Sequence, residues 1–277
     1  MTFLRPIIAA AALLLCSPAL ADETPRRIVS INVCADQYLL ALADPSQILA
    51  LSPSARDVTV SHFAAAAAPF PLVSRHLVDD AESVLVLNPD LVLASIYNQP
   101  DTLARLRRLG IPVVALEEAP ALPGIRAQIE WMGKRLHQEE RAARLTAEFD
   151  RTVAETAGHW RATGRTALYY EHGGFTAGAA SFIQALVAHV GLADAAGRAG
   201  YSTGGFVPLE TVAAANPDFL IVPGAAEAPD EGSALLGHPA LARLFPASRR
   251  IVLPANESVC PGPAAMAALR SLTKLPR

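Results

Sequence analysis

The residues with chemistry to offer fall into three sets. The first is a pair of acids. Glu82 stands in DAESVLVLNPDLVLAS and Glu210 in PLETVAAANPDFLIVPG; each is followed two residues on by valine, then by Asn-Pro-Asp and an apolar run. A carboxylate early in a helix is stabilised by the helix dipole, by about 0.3–1 kcal/mol. It is also a directional, often bidentate acceptor for arginine. The second set is Cys34 and Cys260, whose spacing fits no clustered zinc motif. They could bond, meet a ligand together, or be two unrelated small residues. Free cysteine is commonly buried, and the sequence favours the unrelated reading over a bond. The third set holds histidines, His62, His76 and His172, and aromatics near glycines. The histidines lie on different segments with no HxH or HExxH, a poor start for a bare zinc site.

Several classes are disfavoured at once. The chain has no G-x-S-x-G elbow, no P-loop and no G-x-G-x-x-G after a strand. HGGF, from His172 to Phe175, resembles part of an oxyanion loop, but no nucleophile motif accompanies it. An enzyme is therefore not expected, and no cofactor is required. The formal charge of −3 and an aromatic content of 6% leave neither a basic footprint nor a stacking surface for nucleic acid. With 52% hydrophobic and 18% charged residues, 277 residues can build a sizeable core.

The N-terminus, MTFLRPIIAAAALLLCSPALA, has an early Arg5, an apolar stretch from Ile7 to Leu15 and a small-x-small ending. It reads as a Sec signal cleaved after Ala21, giving a periplasmic protein without lipid that begins at Asp22. A lipoprotein signal would use Cys16, but Leu15 stands where a small residue is usual. The oxidising compartment would permit a bond between Cys34 and Cys260.

The elements that must position these residues alternate. RIVSIN, ILALS, LVLAS and IPVVAL read as strands, with helices over ADQYLLALA, DAESVLVL and DTLARLRRLG between them. From about Pro123 to His159 there is no strand signal, only two amphipathic helices. Strands return in TALYYEH, FLIVP and RRIVLP, with helices over SFIQALVAHVG, PLETVAAA (Pro208 at its first position), PALARLF and GPAAMAALRSLTK. The expectation is two similar α/β lobes with mainly parallel sheets, joined by a long rigid connecting helix, with a ligand cleft between them. The divisions are 1–21 signal, 22–137 first lobe, 138–160 connecting helix and 161–277 second lobe.

RRIVSINVCADQYLLALA, the paired ESVLVLNPDLVLA and ETVAAANPDFLIV, LRRLGIPVVAL and YYEHGGFTAGAASFIQALVAHVGL together resemble the periplasmic substrate-binding proteins of ABC importers for ferric siderophores, haem and vitamin B12. The resemblance covers essentially all of the mature chain. It implies capture of a small-molecule metal chelate, a corrinoid or ferric siderophore ahead of haem, and delivery to an inner-membrane ABC permease. The alternatives are a haem-binding protein, a bare-metal-ion-binding protein, and a sensor module of the same fold. A monomer is expected.

In open α/β sheets ligands bind beyond the carboxyl ends of the strands. That selects Asn32 to Asp36, Ser95 to Gln99, Glu171 to Gly178 and Asn256 to Pro263; the resemblance adds Ser74 to His76 and Tyr201 to Phe206. The candidate ligand contacts are Cys34, His76, Tyr97, Phe175, Tyr201, Phe206 and Cys260. Tyr170, inside a strand, is as readily core. Arg75 and Arg198 are the basic residues in reach, too few for an anionic catecholate. Cys34 and Cys260 each follow a strand, one per lobe. The resemblance also assigns Glu82 and Glu210 to pairing with permease arginines, one acid per half of the transporter.

Overall fold

The computed structural model describes residues 24–73, 81–224 and 235–275. The signal segment, Ser74 to His76 and Arg75 with them lie outside the described residues.

Short, wholly apolar runs make the central strands. In the first half β1 (Ile28–Ser30) and β3 (Leu91–Ser95) are buried along their whole length, flanked by β2 (Ile48–Ala50) and β4 (Val113–Leu116). Continuous burial marks a parallel sheet covered on both faces. The order is β2-β1-β3-β4, all parallel. The second half repeats it. There β5 (Thr166–Tyr169), β7 (Ala193–Asp194), β9 (Phe219–Val222) and β10 (Arg250–Val252) stand in the order β7-β5-β9-β10, again parallel.

Helices link the strands. The first half uses α1 (Val33–Leu42), a short α2 (Ala64–Ala67), α3 (Ala81–Leu85) and α4 (Pro100–Arg108). Between the halves run α5 (Leu122–Leu136) and α6 (Glu139–Thr156). The second half uses α7 (Phe182–His189), α8 (Leu209–Ala215), α9 (Pro239–Leu244), a short α10 (Ala255–Ser258) and α11 (Ala265–Leu272). Pro208 is the N-cap of α8 rather than its first residue, with extended backbone, so the helix begins one position later than the sequence suggests.

The connector is held tightly. Its 18 residues rise about 27 Å. α5 turns into α6 through His137 in the left-handed region, and Gly133 lies so close to Ala142 that a Cβ there would sit 2.2 Å from the alanine methyl. From the second half α11 packs back onto α6. The Trp160 indole donates to the Leu272 carbonyl at 3.0 Å, and Arg270 donates to Thr152 Oγ1 at 3.0 Å. One buried apolar cluster therefore runs from Ile28, Tyr38 and Leu39 through Phe149 and Trp160 to Phe219 and Leu269.

The repeated Asn-Pro-Asp is a joint. Asn88 and Asn216 both take positive φ, ending α3 and α8, and proline then forbids another turn. The aspartate that follows reaches back to the start of the neighbouring strand. Asp90 accepts from the Arg26 and Arg27 backbone N–H groups at 2.7 and 3.0 Å; Asp218 accepts from the Thr166 N–H and hydroxyl at 2.8 and 2.9 Å. An arginine completes each joint. Arg27 donates to the Leu87 and Asn88 carbonyls, and Arg249 to the Pro217 and Asp218 carbonyls.

Candidate functional site

The strand orders locate the crevice. In each sheet the chain passes from the second strand back across the first, so the connections part between β1 and β3 and between β5 and β9. Ligands of open α/β sheets bind at such points, outside the carboxyl ends of the strands.

At the first point a locked turn presents an aromatic. The Asn98 side chain accepts from the Ser95 N–H at 2.9 Å and donates to the Ile31 carbonyl at 3.2 Å, while Ser95 Oγ accepts from the Tyr97 N–H at 3.0 Å. Asn98 is buried by these bonds, and Ile96 and Tyr97 are thrown outward; Tyr97 is 72% exposed. Loss of solvent, then the charge and hydrogen bonding of Glu118, hold the Tyr97 phenol above the ordinary tyrosine value. It is a neutral hydroxyl at neutral pH.

At the second point the wall is built from glycine. After β5 the chain makes a tight turn over His172–Gly174, and then β6 (Phe175–Thr176) pairs antiparallel with β8 (Gly205–Phe206). A side chain at Gly174 would meet the Tyr170 hydroxyl at 2.8 Å and the Val207 carbonyl at 3.1 Å, on a backbone already at φ +82°. Gly204, at the same φ, lies as close to Gly178 and Thr176. This two-residue ladder sets Phe175 against Phe206 edge to face, centroids 5.7 Å apart, and leaves Phe206 69% exposed. Tyr201 is half-buried against the core of its own lobe. Tyr170 is core: fully buried, its hydroxyl donating to the Val207 carbonyl at 3.2 Å. Both pairing strands were read from the sequence as loops, because two residues beside paired glycines carry no periodicity.

Cys34 and Cys260 are bonded to each other, with Cα atoms 5.3 Å apart across 226 residues. The unrelated reading is thereby corrected. Cys34 sits in the first turn of α1, capped by the Asn32 side chain, and Cys260 lies between α10 and α11; the two loops are folded onto one another where the lobes meet. The sequence placed each in a cleft-side loop and allowed a bond between them, while favouring two unrelated residues. His76 lies outside the described residues. Arg198 lines a small cavity with Thr166 and Ala215, at the entry end of β5, away from the crevice. Among the described residues no group of three or more His, Cys, Asp or Glu could hold a metal ion.

The sequence placed Asp36 at the end of a crevice-side segment without singling it out, and it is a buried acid. Asp36 on α1 accepts from the Ser52 N–H at 3.1 Å and the Ser52 hydroxyl at 2.5 Å. Burial pushes its carboxyl up to about 6 against the hydrogen bonds from Ser30 and Ser52. An acid inside an apolar segment, CADQYLL, was its one signal.

Glu82 and Glu210 occupy the first turns of α3 and α8, and both are exposed. Each helix leads through its Asn-Pro-Asp joint to the start of a strand. In a parallel sheet the helix runs back against the strands, so each acid stands at the level of the strands' carboxyl ends. Glu82 pairs with Arg105 of α4 at 2.7 Å, with both side chains over half exposed.

This architecture is that of a two-lobed solute receptor. A family model described as periplasmic binding protein matches residues 28–250, and the chain belongs to that family, whose members are solute-binding transport components of the periplasm. A cobalamin-binding protein of Halobacterium salinarum is 30% identical over 174 residues, 61% of this chain and 46% of the relative, so the match spans about half the relative's length. The haem-binding protein RhuT from Roseiflexus aligns with a TM-score of 0.72 and 26% identity, covering 90% of this chain and 96% of that one. The vitamin B12-binding protein BtuF of Vibrio cholerae shares the fold at a TM-score of 0.66 and 18% identity, covering 90% and 96%. No helix among the described residues is long and apolar enough to cross a membrane.

Proposed function

We propose that this chain is the periplasmic solute-binding component of an ABC importer, capturing a large metal chelate between its lobes and delivering it to an inner-membrane permease. The observation that carries this reading is the pair of exposed aromatic turns, one at each strand-order switch point. Tyr97 with Ile96, and Phe206 backed by a partly buried Phe175, stand exposed at the two points where parallel-sheet topology opens a crevice. Such surfaces offer area and stacking to a bulky, flat or globular ligand rather than hydrogen-bonded pockets for a small polar one.

Charge narrows the ligand. The crevice segments 95–99, 117–121, 171–178, 201–208 and 254–263 contain no lysine or arginine but hold Glu117, Glu118, Glu171 and Glu257, and segment 74–76 adds the single Arg75. An acidic rim repels anionic ferric catecholates and suits a chelate of low or positive charge, a corrinoid or a ferric hydroxamate. Haem is the second reading, supported by the likeness to RhuT. The protein acts as a monomer, without cofactor or catalysis, after signal cleavage at Ala21; Cys34, His76, Tyr97, Phe175, Tyr201, Phe206 and Cys260 line the ligand region. Glu82 and Glu210 meet permease arginines, one acid on each lobe.

The test is a panel. Purified mature protein is incubated with cyanocobalamin, haemin and ferric hydroxamate and catecholate siderophores, then followed by native mass spectrometry and visible absorption. Retention of cyanocobalamin or a ferric hydroxamate is expected. Silence across the whole panel would overturn the chelate reading.

A further inference from the structure

The lobes are tied at the crevice floor by more than the connecting helix. Segment 256–264 of the second half lies flush on α1 of the first. Beside the Cys34–Cys260 bond, the Ala264 N–H donates to Gln37 Oε1 at 3.3 Å and Asn256 Nδ2 to the Val58 carbonyl at 2.8 Å, while the Tyr38 hydroxyl, which donates to Gln128 Oε1 at 2.7 Å, lies 3.4 Å from the Pro261 carbonyl. A Cβ at Gly262 would stand 3.3 Å from both Gln37 and the Tyr38 ring.

The tie reaches both walls by short routes. On the first lobe Cys34 lies three residues from Ile31, whose carbonyl holds Asn98 and so the turn that presents Tyr97. On the second, the Ser258 side chain near Cys260 donates to the Pro254 carbonyl at 3.1 Å and lies beside the Tyr169 hydroxyl. The Tyr169 hydroxyl donates to Glu171 Oε2 at 2.6 Å, and the Glu171 N–H donates to the Phe175 carbonyl at 3.0 Å. Phe175 then packs on Phe206.

We infer that the Cys34–Cys260 disulfide sets the spacing of the two aromatic walls, holding the crevice open to one width before ligand arrives. The role rests on the reading of this crevice as the ligand site. A site held at its bound width loses less freedom on binding. The bond should therefore slow ligand escape. Cutting it leaves the aromatic walls in place and changes how firmly they are held relative to one another.

Two forms test this: wild-type protein reduced with a phosphine, and Cys34→Ser with Cys260→Ser. Each is compared with the oxidised protein by small-angle scattering, hydrogen exchange, and dissociation of cyanocobalamin and of ferrioxamine B. Expected are a larger radius of gyration, faster exchange in α1 and 256–264, and dissociation about tenfold faster with association little changed. Unchanged scattering and exchange would overturn the inference. So would a lower melting temperature with unaltered dissociation, which would leave the bond a fold staple only. Should the double variant not fold, the reduced wild type, already folded, carries the same measurements. Should neither probe bind the oxidised protein, the ligand reading fails, while scattering and exchange still decide the tie.

Discussion

The two lobes are built on one plan at their bases and on two plans at their walls. Both bases use a helix ended by a left-handed asparagine, a proline stop and an aspartate gripping the neighbouring strand. The walls share nothing comparable. The first lobe offers a five-residue turn locked by Ser95 and Asn98; the second offers a glycine-built ladder carrying two phenylalanines. Joints that hold a sheet to its helices have few local solutions. A wall facing ligand need only be rigid and correctly shaped, and the two lobes reach that by different routes.

The largest effect expected on this comparison comes from the feature the lobes share outside the joint. Reversing both acids, Glu82→Arg with Glu210→Arg, should leave chelate affinity nearly unchanged and reduce uptake by about 100-fold or more, since charge reversal at a docking pair both removes attraction and adds repulsion. Single reversals sharpen the contrast. Glu82 is already engaged by Arg105, and Glu210 makes no ion pair among the described residues, so Glu210→Arg should be the more damaging of the two. Normal transport by the double variant at normal protein levels would remove the docking role from both acids.

The joints come next. Asp90→Ala strands two backbone N–H groups, and Asp218→Ala strands the Thr166 N–H and hydroxyl. Each should cost about 3 kcal/mol, measured by urea unfolding, because bonds to a charged acceptor are worth roughly 1.5–3 kcal/mol apiece before solvent repairs part of the loss. Asp218 adds a pH signature. Burial pushes its carboxyl up, but the bonds from Thr166 and the charges of Arg165 and Arg249 leave it below its ordinary value. Its contribution is therefore present above the unfolded carboxylate range and lost as pH falls through the folded one. A negligible cost at one joint and a full cost at the other would end the equivalence of the two halves.

What the sequence made legible follows from the same distinction. Asparagine, proline and aspartate act within a few residues of themselves, so the repeated phrase announced its joint, its flanking helices and the two-lobe plan. Fully apolar runs such as LVLAS and FLIV announced the central strands. The ladder of Phe175 and Phe206 did not announce itself: its pairing depends on glycines that let two distant loops approach, and neither loop alternates. The partnership of Cys34 with Cys260 depends on how one half lies against the other, and no local pattern encodes that. Tyr97 could be selected as outward-facing from its loop position alone, whereas Phe206 was supplied by the family resemblance. The engagement of Glu82 by Arg105 could not, because it joins two separate helices.

Asp36 marks a difference between the lobes at one matched place. Counting from the caps of α1 and α7, Asn32 and Ser181, its counterpart is Ala185. The folded carboxyl stands at about 6, above the unfolded value near 3.8. Between those values the folded state binds the proton more tightly, so stability from this group falls as pH rises from about 4 to 6 and stays lower above. Asp36→Asn should flatten that slope and add about 2 kcal/mol above pH 7, because a neutral amide avoids the burial of a charge. Unfolding curves of the two proteins from pH 4 to 8 decide it; parallel curves would mean that Asp36 titrates as an ordinary exposed acid.

The smallest effect is expected at Tyr97, and it bears on which atoms hold the chelate. A tyrosine facing a metal chelate can act through its ring, as area and stacking, or through its oxygen, as a ligand to the metal. Oxygen ligation requires the phenolate. Here loss of solvent and the Glu118 carboxylate both favour the neutral phenol, and no cation in segments 95–99 or 117–121 opposes them. The ring, by contrast, is the most exposed aromatic surface on the first wall, as Phe206 is on the second. Tyr97→Phe keeps that ring and should weaken retention of cyanocobalamin or a ferric hydroxamate by less than about threefold, within the range of one exposed hydrogen bond. Tyr97→Ala and Phe206→Ala should each weaken it about tenfold, the scale of one aromatic contact. Equal losses for Tyr97→Phe and Tyr97→Ala, with a shift of the visible spectrum in both, would show the oxygen on the metal and would make the first wall a coordinating one, unlike the second.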